Sequence, residues 1–328
     1  MSSKFDLSQV LSVETWAGIT ELRVTEPQAI RRHARQRGRR DRIAPDGKLV
    51  ILAADHPARM VVDVQPGDGR MANRRGYLAR ILSVLEEGNV DGVMATPDVI
   101  EELMAADLLR SRARQPSLLD EKVLLGCMNR GGLAQTVFEM DDRFTAYTVE
   151  GLAQMNLDGA KMMFRLDPSD PGSLETSRAC AHAINECHER DLDVFLETFM
   201  VERTERGYVA IREPRALMKA VSVASALGTS SLRTWLKLPY CEDYELVAGA
   251  TTCPILMLGG AARDDQLAVL DEFYDGMRAA ANVRGCLVGR NVLYPAQMDP
   301  AQMARAVSLV VHEGMSAAEA MERTAGGE

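Results

Sequence analysis

Lysine is scarce in this chain: six of its 38 basic residues are lysine, and the other 32 are arginine. Arginine therefore supplies positive charge wherever solubility alone requires it. The two residues differ chemically, because arginine stays protonated whereas a lysine that is desolvated or close to another cation loses its proton. The free amine of such a lysine can attack a carbonyl carbon. A lysine inside an apolar segment is therefore the first candidate for chemistry.

Other absences narrow the class of protein. The six cysteines are scattered and form no Cys-x-x-Cys pair, which is typical of reduced thiols in a cytosolic protein. No apolar run approaches the length of a membrane span, and no signal-peptide pattern is present at the N-terminus. A net charge of −9 argues against general nucleic-acid binding. We therefore expect a cytoplasmic protein that binds neither membranes nor nucleic acids.

An arginine-rich run at residues 31–42 departs from this acidic average. It could be a patch that binds anions or nucleic acid, or it could be the solvated end of a helix before the first strand. The run stands alone and contains no aromatic residues, which favours the solvated helix end.

From residue 48 onward, short apolar runs alternate with segments of helical periodicity. The runs predict strands at residues 48–54, 90–95, 122–128, 158–164, 192–197, 232–238, 254–258 and 284–288. The main helical segments are residues 74–87, 97–109, 174–190, 212–227, 264–280 and 300–313. Eight strands that alternate with helices over about 270 residues indicate an α/β fold, the closed parallel (β/α)8 or TIM barrel.

The alternative fold is a doubly wound open sheet. Such a sheet usually has a Gly-rich dinucleotide-binding turn after its first strand, and Ala-Ala-Asp-His-Pro at residues 53–57 is not such a turn. The barrel interpretation divides the chain into an N-terminal helical extension, residues 1–45, and the barrel itself, residues 46–328. We expect the extension to cover the bottom or the side of the barrel.

Candidate functional residues gather at the C-terminal ends of the predicted strands, where barrels of this kind place their catalytic groups. The polar and glycine residues found there are Asp55-His56, Asn129-Arg130-Gly131-Gly132, Lys161, Arg165, Glu197, Lys237, Gly259-Gly260 and Gly289-Arg290-Asn291. One rim of the barrel is therefore predicted to carry an active site.

Lys237 lies in the apolar run of residues 232–240 and is the candidate nucleophile. Lys161 and Glu197 fall on the two strands before it. If all three side chains point inward, the Lys161 cation lowers the pKa of Lys237, and Glu197 can shuttle protons. The alternative is a structural ion-pair network. Buried charges are costly and a barrel can be filled with aliphatic side chains, so we favour a function.

Two glycine turns, Gly259-Gly260 and Gly289-Arg290, follow the last two predicted strands. Glycines let backbone N–H groups approach a phosphate, the N-terminus of a short helix adds its dipole, and Arg290 can add a charged contact. Both could be ordinary turns, but their position at adjacent strand ends is typical of the phosphate site of TIM barrels. We therefore expect a phosphorylated small-molecule substrate.

Four other residues are candidates for substrate contact. Asp55 is favoured over His56 for binding substrate hydroxyls or for transferring protons. Trp235 lies two residues before the candidate nucleophile and could form a wall of the site, although core packing is an equal alternative. Arg165 stands before the loop of residues 167–172, which is either a lid that brings a cation to the substrate or a plain surface loop.

Metal ions and cofactors are not expected. A zinc-dependent barrel needs several histidines at strand ends, and His56 alone of the five histidines lies at one. No acidic cluster suggests a magnesium site. Many barrels of this kind assemble, so we expect a homo-oligomer.

Several segments together carry a resemblance to a known family. They are Asp-Gly-Ala-Lys-Met-Met (158–163), Phe-Leu-Glu (195–197), Leu-Lys-Leu-Pro-Tyr (236–240), Pro-Ile-Leu-Met-Leu-Gly-Gly (254–260) and Val-Gly-Arg-Asn (288–291). With these segments the chain resembles the class I, Schiff-base aldolases of the deoxyribose-phosphate aldolase superfamily. The likeness is greatest to the branch of tagatose-bisphosphate and sulfofructose-phosphate aldolases.

The resemblance implies that Lys237 forms the Schiff base, Lys161 assists it, Glu197 transfers protons and Asp55 contacts substrate oxygens. It also implies metal-independent retro-aldol cleavage of a phosphorylated ketose or keto-acid to dihydroxyacetone phosphate and an aldehyde. The extension and the loop at residues 55–73 resemble an actinobacterial barrel family associated with myo-inositol catabolism. That likeness suggests 2-deoxy-5-keto-gluconate 6-phosphate as the substrate, with tagatose or fructose bisphosphate and sulfofructose phosphate as alternatives.

Two other functions would retain part of this pattern. The central lysine could hold pyridoxal phosphate, or the barrel could bind sugar phosphates without turnover, as a sensor. We rank the sensor last, because it has no need of a desolvated amine beside a second lysine.

Overall fold

A computed structural model describes residues 5–129, 133, 134, 136, 139–205 and 207–326 of the chain. The strands of the described part are β1 (Leu49–Ala54), β2 (Gly92–Ala95), β3 (Val123–Cys127), β4 (Gly159–Leu166), β5 (Asp193–Thr204), β6 (Gly207–Ile211), β7 (Thr234–Pro239), β8 (Ile255–Leu258) and β9 (Val283–Val288). All except β6 pair in parallel, in the closed order β1-β2-β3-β4-β5-β7-β8-β9-β1. The predicted (β/α)8 TIM barrel is confirmed.

Helices surround this barrel. The α-helices of the described part are α1 (Leu7–Val10), α2 (Val13–Thr25), α3 (Pro27–Gln36), α4 (Arg74–Glu87), α5 (Pro97–Arg112), α6 (Val149–Gln154), α7 (Gly172–His188), α8 (Pro214–Ala224), α9 (Tyr244–Ala248), α10 (Gln266–Ala279), α11 (Arg290–Leu293), α12 (Pro300–Ser308) and α13 (Ala317–Ala325). A 3-10 turn (Pro57–Arg59) and a π-helical turn (Leu309–Glu313) complete them.

The alternation of side chains along each strand sets what faces the barrel interior, since successive residues of a strand point to opposite faces. In β1, Leu49, Ile51 and Ala53 pack in the inner cluster, whereas the residues between them pack against the helices. In β7, Trp235 belongs to the inner cluster, and its neighbours Leu236 and Leu238 belong to the outer one. Lys237 must therefore point into the barrel.

The sequence did not predict the antiparallel hairpin of β5 and β6. It predicted a strand at residues 192–197, but β5 continues to Thr204 and pairs with β6, with Met200 opposite Ile211 and Thr204 opposite Gly207. The end of β5 is exposed and charged, so it carries no alternation of buried and exposed residues that would indicate a strand. This hairpin places additional side chains over the C-terminal rim.

The N-terminal extension packs along the side of the barrel, because α2 and α3 contact α5, and α1 contacts α4. Its arginine-rich end also reaches the N-terminal ends of the strands. The guanidinium of Arg37 is buried and pairs with Asp158 just before β4, with 2.9 Å between Nη2 and Oδ2. Arg40 pairs with Asp91 just before β2 at 2.9 Å. The expectation of a solvated helix end is therefore wrong for these two residues, although Arg31 and Arg35 are exposed.

Candidate active site

A chain of alternating charges lies at the C-terminal end of the barrel interior. Asp55 Oδ2 is 3.2 Å from Lys161 Nζ, and Lys161 Nζ is 2.8 Å from Glu197 Oε2. The same Glu197 oxygen is 2.9 Å from Lys237 Nζ. All four side chains are at least nine-tenths buried. The structure therefore brings together the four residues that the sequence analysis proposed as catalytic.

The strands fix this arrangement. Glu197 on β5 and Lys237 on β7 are directly opposite in the parallel register, so their side chains leave the sheet on the same face. Lys161 on β4 is opposite Phe195, two residues before Glu197 and on the same face of β5. Asp55 follows Ala53, an inward residue of β1, by two positions. Period-2 alternation in a closed barrel is enough to make these groups converge.

Burial and charge act in opposite directions on these groups. Burial alone would raise the pKa of Glu197, but the two ammonium groups outweigh burial and lower it to about 2. Burial would lower the pKa of Lys161, but the carboxylates of Glu197 and Asp55 raise it above its usual value. Lys161 is therefore a fixed cation, and both carboxylates stay ionised.

Of the two lysines at this site, Lys237 is the one whose pKa is lowered. Burial is the main cause, and the Lys161 cation adds to it against the opposing effect of Glu197. The two lysines also differ in access, because Lys237 lines the cavity at the rim whereas Lys161 is fully buried and is not among the lining residues. Of the two amines, Lys237 is therefore the one that a ligand can reach and that loses its proton more easily.

The cavity has a volume of about 300 Å³. Its described lining includes Asp55, His56, Arg59, Glu139, Met163, Arg165, Glu197, Phe199, Tyr208, Arg212, Lys237, Gly259, Gly260, Gly289 and Arg290. This set contains nearly every candidate from the sequence, together with side chains from the unpredicted hairpin. A cavity of this size suits a small polar metabolite.

The glycine turns are shaped by close contacts. A Cβ at Gly289 would lie 2.4 Å from His56 Cε1 and 2.7 Å from the carbonyl oxygen of Ala53, so only glycine fits there. Gly260 has a φ of +68°, the left-handed region that favours glycine. The turns after β8 and β9 therefore expose backbone toward the cavity where a side chain would otherwise stand.

Asn291 joins these two turns. Its Nδ2 donates to the carbonyl oxygens of Gly259, at 2.6 Å, and Ala261, at 3.0 Å, while its Oδ1 accepts from the backbone N–H of Arg263 at 2.8 Å. The side chain is buried. Asn291 was predicted at the end of a strand without an assigned role, and its hydrogen bonds hold the β8 and β9 turns together.

Two arginines of the cavity were also missed. Arg59 ends the 3-10 turn after β1, and its positive charge acts on the pKa values of Asp55, Glu197 and His56. Arg212 follows β6, and its Nη2 lies 3.6 Å from the position a Cβ would take at Gly260. Neither stands at the end of a predicted strand, so the rim rule did not select them. Selecting arginines that lie close to apolar segments of the sequence would not have identified Arg59 and Arg212 either.

His56 and Trp235 differ in their relation to the cavity. His56 lines it and is buried, and its pKa falls to about 3 because burial, assisted by Arg290 and Arg59, disfavours the charged ring despite the nearby Asp55. Trp235 does point into the barrel, but it stacks on Phe195 with ring centroids 5.7 Å apart, below the site. Trp235 is therefore not among the described lining of the cavity, which favours core packing, one of the two interpretations that the sequence left equally open.

Arg165 is not part of a lid loop. It lies within β4, four residues after Lys161 and on the same inward face of the strand, and its Nη1 is 2.7 Å from Glu139 Oε1. The structure therefore corrects the association of Arg165 with the loop of residues 167–172. Residues 130–132, expected at the end of the third strand, lie outside the described part of the chain.

The described residues contain neither a cluster of metal ligands nor a helix that could span a membrane. No group of three or more His, Cys, Asp or Glu side chains in that part of the chain is arranged to hold a metal ion. No helix in the same residues combines the length and the apolar character required to cross a bilayer.

Fold and geometry together define a (β/α)8 barrel with a lysine–carboxylate site at its C-terminal rim. The chain belongs to the Cgl0159-like family, which it matches over residues 47–310. It is similar to the crystal structure of Cgl0159 from Corynebacterium glutamicum, with 37% sequence identity and a TM-score of 0.86 over 93% of this chain and 99% of that one.

More distant structures share the fold. One is an archaeal fructose-1,6-bisphosphate aldolase with its catalytic Lys bound to a carbinolamine intermediate, at 20% identity and a TM-score of 0.60 over 86% of this chain and 99% of that one. Another is the fructose-bisphosphate aldolase of Slackia heliotrinireducens, at 15% identity and a TM-score of 0.64 over 99% and 97%. At such identities the likeness establishes the fold alone. No curated protein matches the sequence.

Proposed function

We propose that this protein is a class I aldolase, a metal-independent lyase that cleaves a phosphorylated ketose or keto-acid through a Schiff base on Lys237. The products are dihydroxyacetone phosphate and an aldehyde. One observation carries the proposal: a buried amine with a lowered pKa lines the cavity 2.9 Å from a carboxylate that remains ionised. Such an amine is a nucleophile, and such a carboxylate can accept and return its protons.

The reaction begins when the neutral amine of Lys237 attacks the ketone carbon and forms a carbinolamine. Glu197 receives a proton from the amine nitrogen and delivers one to the departing hydroxyl, so that water leaves and an iminium remains. The iminium accepts the electron pair of the carbon–carbon bond as that bond breaks, while the hydroxyl on the leaving carbon gives its proton to a carboxylate of the site and that carbon departs as the aldehyde. Reprotonation of the resulting enamine and hydrolysis then release dihydroxyacetone phosphate and restore the amine.

Lys161 acts on this cycle without meeting the substrate. Its ammonium group holds Glu197 and Asp55 in place and, as a nearby cation, disfavours protonation of Lys237. Asp55, which lines the cavity, is placed to bind a substrate hydroxyl. A neutral His56 beside it can donate or accept a hydrogen bond without adding charge.

The turns at Gly259, Gly260 and Gly289, with Arg290, are the proposed phosphate site. Arg212 brings a second guanidinium to the same turns from the hairpin. Binding of the phosphate group then positions the carbonyl carbon of the substrate next to Lys237, so that part of the binding energy orients the reacting atoms.

For the particular substrate we propose 2-deoxy-5-keto-gluconate 6-phosphate, which such a cleavage would convert to dihydroxyacetone phosphate and malonate semialdehyde. Tagatose or fructose bisphosphate and sulfofructose phosphate undergo the same reaction type and are the alternatives. The described lining of the cavity carries four arginines, Arg59, Arg165, Arg212 and Arg290, and three carboxylates, and this excess of positive charge supports anionic substrates over neutral sugars.

The test is borohydride trapping with dihydroxyacetone phosphate, followed by intact mass and peptide mapping. A stable adduct on Lys237 is the expected result. The Lys237→Arg variant should form none and should be inactive, because a guanidinium stays protonated. Lys219→Arg is the matched control, since Lys219 is exposed on α8, and it should trap like the wild type. Full activity in Lys237→Arg would refute the proposal.

The same experiment separates the rival functions. A barrel that holds pyridoxal phosphate on Lys237 would absorb near 400 nm as purified, and borohydride would fix pyridoxal phosphate on Lys237 as an adduct whose mass differs from that of the dihydroxyacetone phosphate adduct. A barrel that only senses sugar phosphates would bind dihydroxyacetone phosphate without forming an adduct, and replacing Lys237 would leave that binding intact.

A further inference from the structure

The hairpin of β5 and β6 continues past the C-terminal rim of the barrel and is only partly buried there. In the described part of the chain, β6 pairs with β5 alone and is the edge strand of the sheet. No residue of β6 is buried, and Val209 is 50% exposed. Segments with few buried contacts open at a lower free energy than the core of a protein. The hairpin is therefore an element that can move while the barrel stays folded.

One face of this hairpin covers the cavity. The hairpin contributes Phe199, Val201, Tyr208, Ala210 and Arg212 to the described lining. Val201 and Ala210 are opposite each other in the antiparallel register, and the other three residues lie on the same face because side chains alternate with a period of two. The hairpin therefore forms one wall of the cavity, and a movement of the hairpin would open that wall.

The hairpin contacts the rim on both sides of β7. The hydroxyl of Tyr208 donates a hydrogen bond to Asp170 Oδ2 in the loop after β4. On the other side, Arg212 Nη2 lies 3.6 Å from the position of a Cβ at Gly260, in the turn after β8. The strand order at this part of the barrel is β4-β5-β7-β8. The hairpin therefore extends over the sector of the rim that contains Lys237.

Asp170 is the fixed partner in the first of these contacts. Its backbone N–H donates to the carbonyl oxygen of Asp167 at 3.0 Å, and its Oδ1 accepts from the N–H of Gly172 at 2.8 Å. The hydrogen bond to this carboxylate raises the pKa of Tyr208 to about 12, so the phenol keeps its proton and remains the donor. The loop of residues 167–172 thus holds the acceptor in place, and the hairpin carries the donor.

We propose that the β5–β6 hairpin is a lid over the active site and that the Tyr208–Asp170 hydrogen bond is its latch. β5 pairs with β4 as far as Met200, so the moving part of the lid begins after that residue. When the lid is closed, Arg212 stands at the turn after β8 and water is excluded from the cavity. When the latch opens, a ligand gains access to Lys237. The lid controls access to the cavity and does not depend on the reaction proposed for Lys237.

The test measures how fast trinitrobenzenesulfonate, a bulky reagent for neutral amines, modifies Lys237. Peptide mapping gives the rate, and the exposed Lys219 on α8 is the internal reference. Tyr208→Phe keeps the ring and removes the donor, so modification of Lys237 should become about tenfold faster while that of Lys219 stays unchanged. Asp170→Ala removes the acceptor and should have the same effect.

Two further variants show whether the hydrogen bond itself is responsible. Asp170→Asn retains an acceptor oxygen and should stay within about threefold of the wild type. The double variant Tyr208→Phe, Asp170→Ala should react no faster than either single variant, because all three lack the same bond. Tyr274→Phe, which removes a hydroxyl of α10 that contacts Arg278, is the control and should match the wild type.

Hydrogen exchange separates opening of the lid from a general loss of stability. In Tyr208→Phe the amides of β6 should exchange about tenfold faster, and those of β7 should exchange at the wild-type rate. Equal modification of Lys237 in the wild type and in Tyr208→Phe would overturn the proposal. Faster exchange in β7, or faster modification of Lys219 as well, would also overturn it.

The outcome is separable from that of the proposed aldolase reaction. Trapping of dihydroxyacetone phosphate on Lys237, with no gain of access in Tyr208→Phe, would retain the aldolase and remove the lid. A gain of access in Tyr208→Phe without trapping would do the reverse.

Discussion

Glu197 and Lys237 are opposite one another in adjacent parallel strands, and their charged atoms are 2.9 Å apart. The carboxylate of Glu197 therefore affects Lys237 in two ways. Its charge raises the pKa of Lys237, which burial lowers. Its oxygen also lies close enough to exchange protons with the amine. These two effects have opposite consequences for the rate, so a single substitution separates them.

We predict that Glu197→Gln lowers kcat by about 100-fold or more, because proton transfer is lost. It should also lower the pKa of Lys237, so the acidic limb of the pH–rate profile should move to lower pH. Steady-state kinetics across pH measure both effects. Glu202→Gln, on the exposed end of the same strand, is the control and should change neither. An acidic limb that moves to higher pH would contradict the assignment of Glu197.

Lys161→Met should move the same limb in the other direction. Without the Lys161 cation, Glu197 pairs with Lys237 alone, and both changes raise the pKa of Lys237. Since the proposed reaction requires the neutral amine, activity should appear only at higher pH, with a shift of about one pH unit or more. The rate of borohydride trapping against pH measures it. Lys161→Arg keeps the positive charge and should keep the limb near its wild-type position, whatever its effect on kcat.

Arg212→Gln tests the contribution of the hairpin. The Arg212 guanidinium lies against Gly260, so its removal should weaken phosphate binding in ground and transition states alike. We expect KM for the phosphorylated substrate to rise about tenfold while kcat changes by less than about threefold. Arg203→Gln, an exposed arginine of the same hairpin, should leave KM unchanged. A fall in kcat without a rise in KM would contradict the assignment of Arg212 to phosphate binding.

Arg37→Met tests the buried ion pair between Arg37 and Asp158 at the N-terminal end of the barrel. Arg37 is buried and gives hydrogen bonds to Asp158 and to the carbonyl oxygens of Lys122 and Asn156. Removing it leaves Asp158 short of a partner, and the free energy of unfolding should fall by about 3 kcal/mol. Urea denaturation measures that change. Arg35→Met, two residues away and exposed, should alter it by less than about 0.5 kcal/mol. Neither variant should change the KM of the folded enzyme.

The barrel could be predicted from the sequence because its strands are short apolar runs with helical segments between them. The convergence of Lys161, Glu197 and Lys237 also follows from the sequence, since a period of two residues fixes which side chains point inward once the strands are assigned. These predictions needed only local patterns and one rule about where parallel strands end.

The remaining parts depend on contacts between distant segments. Arg59 and Arg212 enter the cavity from a 3-10 turn and an exposed hairpin, neither of which has a hydrophobic period. The sequence placed Trp235 on the correct face of β7 but could not give its height along the barrel axis. The alternation of side chains shows which face of a strand a residue is on, and not how far from the rim it lies. Arg37 looked solvated because its carboxylate partner is 121 residues away in the chain.

That separation bears on how the chain is made. During synthesis Arg37 leaves the ribosome long before Asp158 exists, and the carbonyl oxygens it binds at Lys122 and Asn156 are also late. The N-terminal segment therefore emerges first but cannot complete its buried contacts until β4 is available. We expect nascent chains arrested before residue 158 to expose this segment to proteases, and chains that extend well past β4 to protect it. Residues that are translated before the barrel strands would then be among the last to gain their buried contacts, after β4 has completed the first half of the barrel.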